Sequence, residues 1–402
     1  MWTRREFLRH SGQAAAAACA GGVYPGPDQS PAQPDSGLVT LCLCGDVMTG
    51  RGIDQILPHP SRPALYERYM TSALGYLELA ERASGPIPRP VGFDYIWGDF
   101  LPELAARSPD YRVVNLETSV TTSEDALPKG INYRMHPGNA GCLLAASIDC
   151  CVLANNHVLD WGMSGFLETL AALEGAGIAV AGAGRKAREA GMPASLQKPG
   201  RAPVAVFGFG SPTSGIPPGW AATDAQPGIN LLPDLSPRSA DGVADRIRRL
   251  RRPGDRAVVS IHWGGNWGYD IPEAQRRFAR HLIDAGVADV VHGHSSHHPK
   301  GIEVYRGRLI LYGAGDFLND YEGIAGYETF RGELVLAYFA TLEAATGAVA
   351  RLDMVPFRVH RFRLRHASRA EAEWLHGVLD CESRELGARV ELAPGDALAL
   401  RW

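Results

Sequence analysis

The sequence has no strong excess of charge of either sign: 40 Lys and Arg residues stand against 44 Asp and Glu residues, a formal net charge of −4. Proteins that bind nucleic acid or an anionic membrane through their overall charge carry a clear excess of basic residues. We therefore expect no nucleic-acid partner. A role in binding any other polyanion would require a local basic patch.

The sequence also lacks internal repeats, coiled-coil heptads and, beyond its first residues, low-complexity segments. Its 45% hydrophobic and 21% charged residues are typical of a globular protein and argue against a disordered, fibrous or membrane-spanning chain. The seven cysteines match no zinc-ribbon or redox spacing and assign no disulfide. Cys42 and Cys44 share one face of a predicted strand, where we expect them to be buried as small apolar side chains.

The N-terminus resembles a twin-arginine export signal, because Arg4-Arg5 is followed by an Ala-rich run at residues 14–18 that is too short and weakly apolar to span a bilayer. Ala18-Cys19-Ala20 fits a small-x-small cleavage site, and Cys19 alternatively fits a degenerate lipoprotein attachment site. We predict a signal peptide at residues 1–20, a Gly/Pro/Ser-rich linker at 21–37, and a location in the periplasm or cell envelope.

From residue 38 onwards, short β-rich runs alternate with longer helical stretches, which is typical of an α/β domain. Most of the runs are continuously apolar, so we expect strands buried on both faces. The strands are predicted at 39–44, 112–116, 150–154, 204–209, 257–261, 289–291 and 309–312, with an antiparallel pair at 334–342 and 350–357. Helices are predicted at 65–84, 165–175 and 273–286, with Gly175 and Gly286 at the C-caps. We assign residues 38–360 to one domain and 361–402 to an appended element, interpreted as helical.

Polar side chains follow the ends of five of these strands. In open α/β sheets, ligands bind outside the carboxyl ends of the strands, so these residues are expected to converge. They are Asp46, Asn115, Glu117, Asn156, His157, His262, His292 and His294. Four of the 13 histidines lie within residues 292–298. Carboxylates, amides and imidazoles together suit a divalent transition metal such as Mn, Fe or Zn, in sufficient number for two ions.

Several of these residues have a simpler interpretation. Asp46 could cap a turn, Asn156-His157 could form an Asx-type turn with an exposed histidine, and His262 could be a core histidine. The histidine cluster near residue 294 is the feature that packing alone explains least well.

The motifs at these positions resemble the bacterial capsule-synthesis CapA family, which is linked to poly-γ-glutamate. The resemblance runs from Leu38 to Phe317 and rests on Gly45-Asp46-Val47-Met48, Asn115-Leu116-Glu117-Thr118, Asn155-Asn156-His157 with Asp160-Trp161-Gly162, Ser260-Ile261-His262-Trp263-Gly264, Gly293-His294-Ser295-Ser296-His297, residues 302–312 and Gly315-Asp316-Phe317.

That family is similar to the calcineurin-like metallophosphoesterases, and the resemblance implies a four-layer α/β/β/α sandwich with a two-metal site. By motif, it implies that Asp46 binds the first metal, that Glu117 takes the place of the bridging carboxylate and that Asn156 binds the second metal. It further implies that His262, His294 and His297 complete the ligand set. His157 would be a catalytic histidine that binds no metal and contacts the scissile group.

Three departures distinguish the sequence from typical phosphoesterases of that class. Met48 stands where a histidine usually follows the first aspartate, Glu117 replaces an aspartate, and two residues separate His294 from His297. The CapA-like group shares these differences. They change the residues available to bind the first metal, and phosphatase activity depends on that metal.

We accordingly expect an exported metal-dependent hydrolase that acts in the synthesis, export or processing of an anionic polymer such as poly-γ-glutamate, on a phosphoester or a γ-glutamyl amide. Arg51 and Arg134 are candidate anchors for substrate anions, unless they form ordinary ion pairs. Trp263 is a candidate pocket wall, unless it packs in the core. Two alternatives stay open: a non-catalytic accessory subunit of a membrane-embedded polymer synthase, and a general phosphoesterase.

Overall fold

The computed structural model describes residues 37–402. The predicted signal peptide, Cys19 and the linker up to residue 36 lie outside the described residues. Within residues 37–402, no helix is both long enough and apolar enough to cross a membrane.

The chain alternates strands and helices along most of its length. The strands are β1 (Leu38–Val47), β2 (Tyr111–Leu116), β3 (Ser119–Val120), β4 (Arg134–Met135), β5 (Cys150–Val152), β6 (Ala179–Ala181), β7 (Ala183–Gly184), β8 (Ala194–Leu196), β9 (Val204–Gly210), β10 (Gly228–Ile229), β11 (Arg256–His262), β12 (Val290–His294), β13 (Ile302–Tyr305), β14 (Arg308–Leu311), β15 (Asp316–Leu318), β16 (Leu334–Glu343), β17 (Val349–Val359), β18 (Leu364–His366), β19 (Arg389–Leu392) and β20 (Leu398–Arg401). The α-helices are α1 (Ala73–Ser84), α2 (Phe100–Arg107), α3 (Gly141–Ala145), α4 (Gly162–Gly175), α5 (Ala187–Ala190), α6 (Pro237–Leu250), α7 (Glu273–Asp284) and α8 (Arg369–Arg384).

Two large sheets organise these elements into a mixed α/β fold. The larger sheet has the order β19-β20-β17-β16-β1-β2-β5-β6, with β15 pairing β1 and β18 pairing β17. The second sheet has the order β13-β14-β12-β11-β9-β8. In both sheets the central strands are parallel: β1, β2 and β5 in one, and β9, β11, β12 and β14 in the other. The carboxyl ends of the parallel strands within each sheet therefore lie at one edge, where the sequence places its polar residues.

Apolar side chains cover both faces of both sheets. Leu41 and Leu43 of β1 share one core cluster with Val258 of β11 and Val290 of β12, so this cluster joins the two sheets. On the other face of β1, Cys42 and Cys44 pack with residues of α1 to α4. Helices α6 and α7 pack on the outer face of the second sheet. This double burial explains the continuously apolar strand sequences and confirms that both cysteines are buried.

The predicted elements agree with the structure except at some boundaries. The helix predicted at 65–84 begins only at Ala73, because Ser72 caps it by accepting a hydrogen bond from the Leu74 N–H at 3.3 Å. Gly286 has φ +71 just after α7, as a C-cap requires, whereas α4 ends at Gly175 and the positive φ falls on Gly177. The antiparallel pair is confirmed as β16 and β17.

The segment after residue 360 contains one helix and three short strands. Strands β18 and β20 pair with β17, and β19 pairs with β20, so the segment extends the larger sheet. Leu375 and Leu379 of α8 join the core cluster between the sheets. The helical interpretation therefore described only part of this segment.

Candidate metal centre

Asp46 is placed by the end of β1, where β15 joins the sheet in parallel with Asp46 opposite Asp316. The Asp46 N–H donates to the Gly315 carbonyl at 3.0 Å. A side chain at residue 45 would collide with that same carbonyl, so only glycine allows this approach. The Asp46 carboxylate is fully buried and accepts hydrogen bonds from Asn115 Nδ2 at 2.7 Å and from the Ser295 N–H at 3.1 Å.

Two histidines from neighbouring parallel strands face this carboxylate. Asp46, His262 and His294 each offer a ligand atom, and these atoms lie within 4.8 Å of one another. Asp46 Oδ1 lies 4.0 Å from His262 Nδ1 and 3.7 Å from His294 Nδ1. All three side chains are buried, so this triad is a candidate metal-binding cluster.

Glu117 lies on the other side of His262. Its Oε1 is 3.8 Å from His262 Nε2 and 3.8 Å from His157 Nε2. Its other oxygen, Oε2, is buried and has no hydrogen-bond partner among the described residues. Leaving a buried carboxylate oxygen without a partner is costly, so this atom is positioned for a ligand such as a cation.

Burial is the main cause of the pKa shifts in the cluster. Burial, together with the nearby Asp316 carboxylate, raises the pKa of Asp46 to about 7. Burial and the Asp46 carboxylate raise the pKa of Glu117 well above its ordinary value. Burial also holds the pKa values of His262 and His294 well below their ordinary range. A divalent cation would favour the charged carboxylates and neutral imidazoles that metal binding requires.

Asn156 and His157 follow β5 and reach the same cluster. Asn156 Oδ1 lies 2.9 Å from His262 Nε2. His157 Nδ1 lies 2.6 Å from Asp160 Oδ2, so its Nε2 faces Glu117. Burial lowers the pKa of His157 to about 4, although Asp160 acts in the opposite direction. His157 is 8% exposed, so the alternative of an Asx turn with an exposed histidine does not describe it.

Lys129 extends this hydrogen-bonded group. Its Nζ lies 2.7 Å from Asp160 Oδ1 and 3.3 Å from His157 Nδ1, and it also donates to the Asn156 carbonyl. Neither Lys129 nor Asp160 was among the predicted site residues. Asp160 belongs to the quoted motif, whereas the sequence around Lys129 carries no signal for its role.

His297 lies at the flank of the cluster. Its Nδ1 is 2.9 Å from Asp316 Oδ1, and Asn319 Nδ2 donates to Asp316 Oδ2 at 2.8 Å. Burial alone would lower the pKa of His297, but Asp316 raises it above its ordinary value. Asp316 was quoted in a motif but was not assigned a role, and its position opposite Asp46 makes it a further candidate ligand.

A serine and a second histidine lie behind His294. Ser260 Oγ is 2.9 Å from His294 Nε2 and 3.1 Å from His292 Nδ1. Because Ser260 occupies the Nε2 side, His294 presents Nδ1 to Asp46. His292 is therefore linked to the cluster through Ser260. Its Nε2 is buried and has no hydrogen-bond partner in the described part of the chain.

The three predicted substrate-binding residues have internal partners. Arg51 is buried, pairs with Glu67 at 3.3 Å and with Asp320, and its guanidinium lies 3.8 Å from the centre of the Tyr76 ring. Arg51 also borders a cleft beside His297, whereas Arg134 and Trp263 do not.

Arg134 donates to the carbonyls of Ser123 at 2.7 Å and Arg62 at 2.8 Å. Trp263 is 2% exposed, packs in the core on Phe278, and donates to the Tyr312 carbonyl at 2.9 Å. Arg134 also pairs with Glu124 at 3.2 Å. The ion-pair interpretation therefore describes the contacts of both arginines, and the core-packing interpretation describes those of Trp263.

A cleft of about 480 Å³ opens beside the cluster at His297. Its walls include Trp267, whose ring is stacked on Tyr327 with centroids 4.1 Å apart. Two arginines border the cleft, and both are paired with carboxylates: Arg51 as described, and Arg358 with Glu371 at 2.6 Å. The cleft is within the size range of a ligand site, but it presents no unpaired arginine or lysine among the described residues.

The donor set fits a divalent transition metal. Asp46, Glu117, Asn156, His262 and His294 supply carboxylate, amide and imidazole atoms in one group, in which all but the half-buried Asn156 are buried, and Glu117 Oε2 needs a partner. Met48, where a histidine was expected in a typical phosphoesterase, is fully buried, and its Sδ accepts a hydrogen bond from the Tyr321 hydroxyl at 3.5 Å.

Comparison with known proteins agrees with these motifs. The chain is 48% identical over 363 residues to the "Probable polyglutamine synthesis accessory protein" of Mycobacterium tuberculosis (strain CDC 1551 / Oshkosh), covering 90% of this chain and 95% of that protein. It is 26% identical over 325 residues to the "PGA biosynthesis protein CapA" of Bacillus subtilis (strain 168), covering 80% of this chain and 72% of that one. It is 25% identical over 330 residues to the "Capsule biosynthesis protein CapA" of Bacillus anthracis, covering 80% and 67%. A family model described as "Bacterial capsule synthesis protein PGA_cap" matches residues 40–321. This chain therefore belongs to the bacterial capsule synthesis protein PGA_cap family.

Proposed function

We propose that this protein is an exported metal-dependent hydrolase that acts in the synthesis, export or processing of an anionic surface polymer, foremost poly-γ-glutamate. The observation that carries the proposal is the buried triad of Asp46, His262 and His294 beside the unpartnered Glu117 oxygen. The names of the relatives, which refer to polyglutamine synthesis and PGA biosynthesis, support this choice of polymer. The packing of helices outside two sheets that share a core supports a four-layer sandwich.

Two ions are proposed, because the donors fall into two neighbouring groups. Asp46, His262 and His294 would hold a metal with Glu117 and Asn156 alongside, while His297 and Asp316 flank Asp46 on the other side. A bound Mn, Fe or Zn ion would supply Lewis acidity that polarises the scissile phosphoryl or acyl group.

His157 is proposed to transfer a proton to the leaving group. Asp160 holds its Nδ1, which leaves Nε2 directed at Glu117 and the reacting group. In this arrangement a neutral His157 donates its Nδ1 proton to Asp160 and can accept a proton at Nε2, then return it to the leaving group. Lys129 fixes Asp160 and the Asn156 backbone, so it acts as a positioning residue.

Metal analysis of the exported protein tests the centre directly. We expect transition-metal ions bound to each purified chain, and fewer ions in Asn156→Ala, His262→Ala, His294→Ala and His297→Ala. His281→Ala is a matched control, since His281 is a surface histidine that pairs with Asp241 on α6. Unchanged metal content in all four variants would contradict the site.

A non-catalytic accessory subunit of a polymer synthase is the second candidate function. Two observations favour it: the name of the Mycobacterium tuberculosis relative contains "accessory protein", and the Met48 thioether stands where phosphoesterases have an imidazole ligand. Polymer binding without turnover of either a phosphodiester or a γ-glutamyl amide, unaffected by His157→Ala, would support this candidate. Turnover of a generic phosphodiester with no polymer binding would instead support a general phosphoesterase.

Export and location form a separate part of the proposal. Arg4 and Arg5 are proposed to direct twin-arginine export to the periplasm or cell envelope, with lipid attachment at Cys19 as the alternative to cleavage after residue 20. Lys replacement of both arginines should leave the precursor inside the cell, and mass spectrometry of the exported form distinguishes cleavage from lipidation. Export of the double variant at the normal level would contradict this route.

A further inference from the structure

A dense group of arginines lies where α6 ends and the chain turns into β11. Residues 246–252 read Arg-Ile-Arg-Arg-Leu-Arg-Arg, five arginines in seven positions, in a chain whose overall charge is slightly negative. We call Arg248, Arg249, Arg251 and Arg252 the arginine patch. The hydrolase proposal gives these residues no role.

The arginines of the patch differ in how they are paired. Arg251 is held by Asp289, with Nη2 and Oδ2 2.6 Å apart, and by the Asp255 carbonyl. Arg248 pairs with Asp245 on the same helix, with both side chains more than half exposed. Arg249 and Arg252 are exposed and form no ion pair with any residue the structure describes. Two guanidinium groups are therefore available to a ligand.

Three of the four patch arginines line a recess, and Arg249 follows Arg248 outside its lining. A pocket of about 310 Å³ is lined by Arg248, Arg251 and Arg252 together with residues 253–254 and 285–287. Gly254 and Gly286 both have positive φ there, which lets two adjoining turns form the walls. A recess of this size accommodates one or two carboxylate groups and fits a flexible chain better than a flat bilayer surface.

Capping of α6 explains only part of this charge. Basic side chains in a last helical turn stabilise the partial negative charge of the helix C-terminus, about half an elementary charge. Arg248 and Arg249 lie in that last turn, and Arg251 and Arg252 follow it. Arg256, next along the chain, has a pKa lowered by burial and by the nearby charges of Arg251 and Arg308, although Asp289 acts in the opposite direction. Among the patch arginines, Arg248 and Arg251 each pair with an aspartate, whereas the charges of Arg249 and Arg252 are not balanced by an ion pair to any described residue.

The patch lies at the opposite edge of the second sheet from the metal centre. Strand β11 runs from Arg256, beside the patch, to His262 in the metal centre. Seven residues of strand span about 20 Å. The patch is thus a separate surface, which an extended polymer could occupy while another part of the same chain reaches the metal centre.

We propose that the arginine patch binds the carboxylates of a linear polycarboxylate, the polymer of the proposed function, on which this inference rests. Guanidinium groups bind carboxylates bidentately, and Arg249 and Arg252 are free to do so. The cleft beside the metal centre offers no comparable charge, because both of its arginines are paired. The polymer is therefore held mainly at the patch.

Binding of a fluorescent γ-glutamyl decamer to the metal-loaded protein tests the proposal. Loss of two charge-assisted contacts in Arg249→Gln/Arg252→Gln should weaken binding by about 10-fold to 100-fold. The affinity of the unmodified protein should fall as salt is added, and that of the variant should fall less. Arg68→Gln/Arg188→Gln is the matched control, because both are exposed arginines that form no ion pair within residues 37–402 and the charge change is the same.

An unchanged affinity in the patch variant, or no decamer binding by the unmodified protein, would overturn the inference. Equally tight, patch-dependent binding of a DNA 20-mer or of anionic phospholipid vesicles would overturn it too, since the surface would then be a general anion-binding one. The metal content and the turnover of a small phosphodiester should be unchanged in the patch variant, because the patch and the metal centre lie at opposite ends of β11. A failed hydrolase proposal is therefore distinguishable from a failed binding site.

Discussion

The two edges of the second sheet carry different chemistry. At the carboxyl edge, His262 is buried against Asp46 and Glu117, which come from the ends of β1 and β2 in the larger sheet, and most of their polar atoms contact other polar atoms of the cluster. At the opposite edge, Arg249 and Arg252 are exposed, with no ion pair to any described residue. The metal binding proposed at the first edge would depend on the geometry of buried groups, whereas the polymer binding proposed at the second would depend on charge in water. Substitutions at the two edges should therefore differ in kind and in size.

The largest effect is expected at His157. His157→Ala should reduce kcat/KM for a phosphodiester or γ-glutamyl amide probe by about 10²-fold to 10⁴-fold, the usual contribution of a general acid or base. The bound metal should be retained, because His157 is not proposed as a ligand. Steady-state kinetics and elemental analysis on the same preparation measure both effects. His376→Ala is the control, since His376 lies on α8, away from the cluster, and its Nε2 is 3.0 Å from the Val390 carbonyl of β19. Loss of metal from His157→Ala would show that its role is misassigned.

Substitution of Ser260 tests whether metal affinity depends on a residue that orients a ligand but does not itself bind the metal. Ser260→Ala removes the group that holds His294 Nε2, so His294 is no longer held with Nδ1 towards Asp46. Metal affinity should fall by about 10-fold to 100-fold, the usual cost of losing an outer partner of a ligand histidine.

Competition with a chromophoric chelator gives that affinity without any activity assay. Ser383→Ala is a matched buried serine whose Oγ accepts from the Ile302 N–H elsewhere in the fold. Equal metal affinity in the Ser260 and Ser383 variants would remove Ser260 from the site.

Local sequence patterns were sufficient to predict most of the carboxyl edge. Asp46, His262 and His294 each end a strand, and a strand end is visible as an apolar run followed by a polar residue. Parallel pairing of β11 with β12 then brings His262 and His294 together, whereas Asp46 reaches them from the larger sheet through the core that the two sheets share. The alternation of strands and helices predicted the mixed α/β class for the same reason.

Residues whose roles depend on long-range pairing could not be predicted in this way. Asp316 lies on a three-residue strand, and only its register opposite Asp46, 270 positions away, brings it to the site. Arg51 looked like a free anion anchor because its partners Glu67 and Asp320 meet it only in the folded chain. The arginine patch was visible as a sequence run, but its unpaired members could be recognised only once the acids around it were placed.

Substitution of Asp289 tests how much the ion pair with Arg251 of the arginine patch stabilises the fold. It accepts from the Ala257 N–H at 2.8 Å and pairs with Arg251 and Arg308. Asp289→Asn should lower the free energy of unfolding by about 1–3 kcal/mol, because Arg251 would keep its largely buried charge without a carboxylate partner. Urea denaturation measures this loss. Asp245→Asn, which breaks only the exposed pair with Arg248, should change stability by less than about 1 kcal/mol. Equal losses of unfolding free energy in the two variants would mean that the buried pair stabilises the protein no more than the exposed pair does.

The smallest effect is expected from the unpaired arginines themselves. Arg249→Gln/Arg252→Gln should change the free energy of unfolding by no more than about 0.5 kcal/mol, because both side chains are exposed and have no ion pair to lose within residues 37–402. The same urea titration used for Asp289→Asn measures it. A loss above about 1 kcal/mol would show that these arginines stabilise the end of α6 through its dipole. A neutral result, combined with weaker polymer binding, would separate a charge-dependent surface from the geometry-dependent centre at the other edge of the sheet.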